Sequence, residues 1–216
     1  MDRGHLMNSK HSGTLLILGI TGAAVLWASP AEATLGDAVK LIYVHMALAW
    51  LGLAIFSAAG VAGLLHLLLG REALHSWSRA FAVVGVFLWL VYLVLSMASM
   101  QISWGGILWQ EPRFTYALVM MALSSGFWAV GRLVERPRVD SLLSAVLAGI
   151  MWVYLLRTAR FFHPVNPVWT SDSTAMKVSA ALITLIFFAA ALDVVWWLRR
   201  RQSAVRRQSE SPVVSA

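Results

Sequence analysis

Apolar residues run along this chain in six long blocks, at about 14–30, 38–69, 80–101, 115–134, 141–159 and 175–198. Each approaches or exceeds the roughly 20 residues that a helix needs to cross a bilayer core. The second is long enough to tilt or to extend past the membrane surface. Turn formers punctuate the breaks: Ser29-Pro30, Gly70-Arg71, Gly105-Gly106, Pro112, Arg136-Pro137, and Pro164 to Pro167. No internal repeat is visible. The pattern predicts an all-α, polytopic membrane protein of about six transmembrane helices. An N-terminal arm would cover 1–13, the transmembrane domain 14–198, and a basic, disordered tail 199–216.

Composition agrees with the pattern. Of 216 residues, 59% are hydrophobic and 12% charged, and mean hydropathy is +0.72. A soluble domain of this size would not keep so apolar a chain in water. Cysteine is absent, which excludes disulfides, thiolate metal sites and thioether attachment of haem to this chain. The net charge of +7 raises the question of nucleic acid. The cations, however, sit in short loops and in the tail from Arg199 to Arg207, as membrane-orienting charge does. They form no stripe that would track phosphates, so no nucleic-acid partner is expected.

Those charges also orient the chain. With the N-terminus cytoplasmic, the inner side carries Arg3, Lys10, Arg71, Arg79, Arg132, Arg136, Arg138 and five tail arginines, twelve in all. The outer side carries Lys40, Arg113, Arg157, Arg160 and Lys177, five in all. The positive-inside rule then places both termini in the cytoplasm. Arg3 and Lys10, the apolar stretch 14–28 and Ala31-Glu32-Ala33 also have the outline of a signal peptide. Its cleavage would remove the first helix and leave the other five oriented as before.

Three segments converge on the outer rim: the entry to the second helix, Lys40 to Trp50; the loop Ile102 to Thr115; and Arg157 to Trp169. They bring two histidines to one side. His45 lies about 10 Å inside its apolar block at 1.5 Å per residue, where a polar ring is costly unless it is partnered or used. His163 ends the fifth block, and Pro164 fixes how its ring projects. Two neutral imidazoles can hold one haem iron from opposite faces. Trp104, Trp109 and Trp169 would offer the porphyrin an aromatic surface. Arg113, Arg157, Arg160 and Lys40 would pair with its propionates.

Each residue also has a plainer reading. Interfacial tryptophans form belts, outer arginines snorkel, and His45 or His163 alone could be a helix–helix hydrogen bond or a surface group. Their conjunction on one face favours a ligand. Elsewhere, His66 and His45 are 21 residues apart, roughly 30 Å along a helix, as in two-haem membrane cytochromes. The only further histidine near the inner face is His75, so a second haem has poor ligand support. Asp193 is expected to pair with a nearby arginine such as Arg199. His5 and His11 read as solvated, and Ala59, Gly60 and Gly63 as close helix packing.

These residues resemble a family, the cytochrome c assembly proteins, in their haem exporter protein C (CcmC) branch. The resemblance covers about residues 15–198. Tyr43-Val44-His45 with Ala49-Trp50 is similar to "Y-x-H-x-P-A-A-W". Trp104-Gly105, Glu111, Arg113 and Thr115 match "W-G-x-x-W-x-W-D-x-R-x-T" without a gap. His163, Val165 or Val168, and Trp169 resemble the second histidine and its "S-V-x-W-W". The chain departs from the motif at Leu108-Trp109-Gln110-Glu111, where both aligned tryptophans are lost and the acid is Glu. Ala47 or Leu48 stands where the family has proline.

The resemblance implies non-covalent, transient haem b at the outer leaflet of a bacterial inner membrane, with the site on the periplasmic side. His45 and His163 would be its axial ligands, and the loop bearing Trp104, Trp109, Glu111 and Arg113 would lie against the porphyrin. It further implies transfer to a periplasmic haem chaperone, alongside ATP-binding-cassette transporter subunits. No nucleophile–base pair, paired carboxylates or phosphate loop is present, so no enzyme activity is expected. Two alternatives are a non-haem structural or regulatory subunit derived from the family, and an unrelated transporter or redox enzyme.

Overall fold

The computed structural model describes residues 3–158 and 168–210, with side chains described over 11–158 and 168–202. Six helices follow one another: α1 (Arg3–Ala28), α2 (Val39–Leu69), α3 (Glu72–Trp104), α4 (Pro112–Val134), α5 (Pro137–Arg157) and α6 (Thr174–Glu210). All six are long and apolar enough to cross a membrane. The fold expected from the sequence, an all-α polytopic chain, is the one observed.

Local chemistry sets the helix ends. Pro112 and Pro137 open α4 and α5 at the first turn, where a missing N–H leaves no bond unmade. Gly70 and Gly105 close α2 and α3 at φ of +65° and +73°, the left-handed conformation that glycine adopts without penalty. The loops at 29–38 and 105–111, together with Thr158 and residues 168–173, lie at one end of the bundle with His45. The short turns at 70–71 and 135–136 lie at the other end with His66.

Helix α2 is the hub. It packs against α3, α5 and α6, while α1 packs chiefly on α6. In a bilayer, helices associate through close backbone approach rather than by escaping water. The small residues of α2 serve that end. A side chain at Gly63 would meet the Ser141 carbonyl oxygen of α5 at 2.5 Å, and Gly60 faces Ala148 directly. The Ala59 carbonyl accepts a 2.8 Å hydrogen bond from the Ser78 hydroxyl of α3.

Three helices extend past their apolar blocks. The first begins at Arg3, within the expected arm, and α6 continues to Glu210, through most of the expected tail. The third begins at Glu72 rather than near residue 80. In each case the hydropathy ends at charged residues that the helix itself tolerates. At α6 the arginines lie over indole faces: Arg199 is 4.4 Å from the Trp77 ring, Arg200 4.7 Å from Trp196 and Arg201 4.3 Å from Trp197.

Two polar expectations are corrected here. Asp193 pairs with His11 of α1, not with Arg199, and the His11 ring stacks on Trp197. His11 is therefore packed between helices rather than solvated. Helical continuation of α1 brings it level with Asp193, and Arg199 points instead to the Trp77 and Trp196 faces.

Candidate functional site

At the loop end, α2 divides its side chains between two neighbours. Tyr43 and Ala47 turn into a buried cluster with Val168, Met176, Ala180 and Ile183, against α6. His45 turns toward α3. Its ring stacks on Tyr92 at 5.0 Å between centroids and 22° between planes. Nδ1 is 3.4 Å from the Ser96 hydroxyl.

The Ser96 contact has a direction. The hydroxyl has one proton, and it donates to the Tyr92 carbonyl oxygen at 2.8 Å, the usual i−4 back-bond of a helical serine. With that proton engaged, the Ser96 oxygen is placed to accept at His45, which favours the tautomer with its proton on Nδ1 and its lone pair on Nε2.

Tyr92 is the first link of an aromatic chain that crosses the bundle. It touches Trp89 at 4.8 Å, Trp89 meets Tyr116 edge-on at 6.1 Å, and Tyr116 meets Tyr154 edge-on at 5.2 Å. Polar ends are tied off along the way. The Trp89 indole N–H donates to the Ala117 carbonyl at 2.9 Å, and the Tyr116 hydroxyl donates to the Met151 carbonyl at 3.4 Å. Residues from α2, α3, α4 and α5 thus share one stack. Sequence reasoning did not single out these aromatics. Their signal is the placement of Trp89, Tyr92 and Ser96 at intervals of three and four on a single face of α3.

The loop between α3 and α4 is built around Glu111. This residue is fully buried and caps α4, accepting from the Arg113 N–H at 3.4 Å. Its Glu111 carbonyl also accepts from the N–H groups of Phe114 and Thr115. The Thr115 hydroxyl donates to the Trp109 carbonyl at 3.3 Å, and the Trp109 ring rests edge-on against Phe114. An acid and a threonine in these positions have structural duties that hold the loop in shape. Trp104 and Trp109 remain 36% and 59% exposed, and Trp169 beyond α5 is 45% exposed.

Arg157, exposed in the last turn of α5, borders with Tyr154 and Val153 a shallow, open concavity. Lys40 forms a 2.8 Å ion pair with Asp37 and donates to the Trp27 carbonyl at 3.2 Å, so its charge has a local partner. Glu32, in the same loop end, accepts from the N–H groups of Leu35 and Thr34, both at 2.7 Å. Those bonds hold its carboxyl below the ordinary value of 4.5. His163 and Arg160 lie outside the described residues, and the second half of the expected ligand pair with them.

At the opposite end, His66 and His75 are buried, with ring centroids 5.5 Å apart. His66 Nδ1 is 3.1 Å from the Arg71 carbonyl oxygen, and His75 Nε2 is 3.3 Å from the Asp140 carboxylate. Two rings in contact, each bonded to the protein, leave no slot for a porphyrin between them. The weak support for a second haem is weakened further.

The fold defines a multi-pass, six-helix membrane protein with an imidazole and an aromatic stack at its loop end. No family model matches the chain. Among curated proteins it is homologous to haem exporter protein C. It is 29% identical to "Heme exporter protein C" of Rhodobacter capsulatus over 136 residues, covering 62% of this chain and 56% of the relative. It is 27% identical to "Heme exporter protein C" of Paracoccus denitrificans over 155 residues, 68% of this chain and 64% of the relative. A ccmC-like mitochondrial protein of Marchantia polymorpha is 27% identical over 101 residues, 47% of this chain and 44% of the relative. The matched region therefore spans less than two thirds of each relative's length. These relatives support the CcmC family as the one that the sequence motifs resemble.

Proposed function

We propose that this protein handles haem as cargo in cytochrome c biogenesis. It would hold haem b non-covalently at the periplasmic face of a bacterial inner membrane and pass it to a periplasmic haem chaperone. ATP-binding-cassette transporter subunits would be its partners in the membrane. It would act as a holder and not as an enzyme. The relatives named as haem exporters support the cargo, and the excess of cations at the His66 end supports the orientation.

The observation that carries the reading is the Ser96 hydroxyl set against His45 Nδ1. Histidines that bind iron donate their other ring N–H to a fixed acceptor, and here that acceptor is the Ser96 oxygen. Nε2 is then the nitrogen that an iron would take. Trp104, Trp109 and Trp169 would lie against the porphyrin, and Arg113, Arg157 and Arg160 would pair with its propionates. His163 would be the second axial ligand. Glu111 would act by holding the loop that carries the tryptophans.

Leu108 and Gln110, in place of two aligned tryptophans, favour a second reading: a structural or regulatory subunit of a membrane complex that no longer binds haem. One titration separates the two. Detergent-purified protein titrated with haem should give the Soret and low-spin spectrum of bis-histidine ligation. His45→Ala and His163→Ala should each remove that spectrum. No haem uptake by the native chain would favour the second reading, and native spectra in both variants would refute the ligand assignment.

A further inference from the structure

Far from His45, at the His66 end, α3, α4 and α5 do not close on one another. They leave a narrow cleft with about 40 Å³ of room inside it. Its walls are apolar, with Val86 of α3, Phe127 of α4 and Leu147 of α5, and Phe56 of α2 lines its inner side. From Arg132 to Ser124, both lining it, α4 advances eight residues, about 12 Å at helical rise. That is a little over a third of the roughly 30 Å hydrocarbon core. An apolar slot of this depth, open on the flank of a membrane protein, faces acyl chains rather than water.

The mouth is cationic. Arg79 and Arg132 both line it, and Arg132 is exposed. The single carboxylate there, Asp140, is already shared between His75 Nε2 at 3.3 Å and an Arg79 terminal nitrogen at 3.9 Å. It lies against Gly131, where any side chain would collide with it. Asp140 thus fixes Arg79 at the mouth, and two guanidiniums against one carboxylate leave a net charge of +1. The complement is an anion joined to a hydrocarbon chain.

We propose that this cleft binds one anionic phospholipid, its phosphate between Arg79 and Arg132 and one acyl chain along the lining residues that keep exposed surface, Val86, Phe127 and Trp128. The guanidinium fork suits phosphate oxygens, and the mostly apolar lining below it suits a hydrocarbon chain, the Ser124 hydroxyl there being bonded to the Met121 carbonyl. A free phosphate would occupy the mouth and leave the slot unfilled. The site is independent of haem and lies at the opposite end of the bundle from His45.

The test uses the full chain in mixed micelles containing phosphatidylglycerol or phosphatidylcholine, with bound lipids counted by native mass spectrometry. One phosphatidylglycerol should be retained where phosphatidylcholine is lost. Arg132→Gln should reduce its occupancy about tenfold, the weight of one charge-assisted contact. Ala82→Trp, which fills the slot, should expel it. Arg138→Gln, on the same face but not lining the cleft, should bind as the native chain does. Because Arg132 is exposed, its variant should remain folded, and a monodisperse elution profile checks this. Equal retention of both lipids, native binding by Arg132→Gln and Ala82→Trp, or displacement by inorganic phosphate alone would each overturn the proposal. So would a co-purified polypeptide that leaves in Ala82→Trp while lipid stays.

Discussion

Ser96→Ala isolates the part of the haem reading that depends on the His45 proton. The substitution removes two bonds, the 2.8 Å back-bond to the Tyr92 carbonyl and the 3.4 Å contact with His45 Nδ1. The first contributes little, because serine back-bonds are neutral or slightly unfavourable to a helix. Thermal stability should therefore hold or rise slightly. The second is what keeps the proton on Nδ1. At 3.4 Å it is a weak neutral bond, worth about 0.5–1.5 kcal/mol. Its loss lets the imidazole place its proton on Nε2, and haem affinity should fall roughly two- to tenfold. That lies at or below the lower end of the 10–100-fold usual for the outer partners of metal-ligating groups, as the length of the bond requires. The assay is a haem titration followed in the Soret band, with His45→Ala beside it. Ser96→Ala should retain the bis-histidine spectrum at reduced affinity, whereas His45→Ala should lose it. Native affinity in Ser96→Ala, or the same spectral loss in both variants, would refute the reasoning.

Two further outcomes follow from packing and from charge. Gly63→Ala places a Cβ 2.5 Å from the Ser141 carbonyl oxygen, a backbone atom that no rotamer change can move, so α2 and α5 must part. It should cost about 1–3 kcal/mol in detergent unfolding, while Gly149→Ala, with open space around it, should be neutral or stabilising by up to about 1 kcal/mol; equal stabilities would count against the close α2–α5 contact. In the loop after α1, Glu32 has its pKa lowered from 4.5 by the N–H groups of Leu35 and Thr34. The order it confers is present above the unfolded value and fades as pH falls through the lower folded one. Hydrogen-exchange protection at Thr34 and Leu35, taken relative to the intrinsic rate at each pH, should hold at pH 4.5 and fall only below it, and Glu32→Gln should be poorly protected throughout.

The helices were legible because a bilayer imposes a length and an apolar content that the chain displays openly. Their ends were not, and the reason is specific. A hydropathy block stops where charge begins, but a helix stops where its backbone is turned. Glu72 to Arg79 is polar and yet helical, since Gly70 has already reversed the chain and nothing between it and Gly105 breaks the backbone. Those eight residues carry both His75 and Arg79, so the whole polar cluster at Asp140 was out of view. The same error hid the partner of Asp193. An arm that is helical from Arg3 delivers His11 to it, and a disordered one could not.

The loop end shows the converse. His45 was found from its cost in an apolar block, and its depth follows directly from the helical rise. What fixes the setting of its ring, however, is not in α2. It is Ser96, 51 residues away, whose only proton is committed to its own helix. No motif that begins at His45 reaches that residue, because the link between them is a contact between helices. A face reading of α3 would have reached it, since Trp89, Tyr92 and Ser96 share one side and that side must meet something. The tryptophan loop divides in the same way. The motif acid Glu111 matched by position, yet its burial and its cap on α4 are consequences of Pro112 starting a helix there. A residue can therefore keep its place in a binding motif by shaping the loop alone, and Leu108 and Gln110 can vary on that loop while Glu111, Arg113 and Thr115 still hold it.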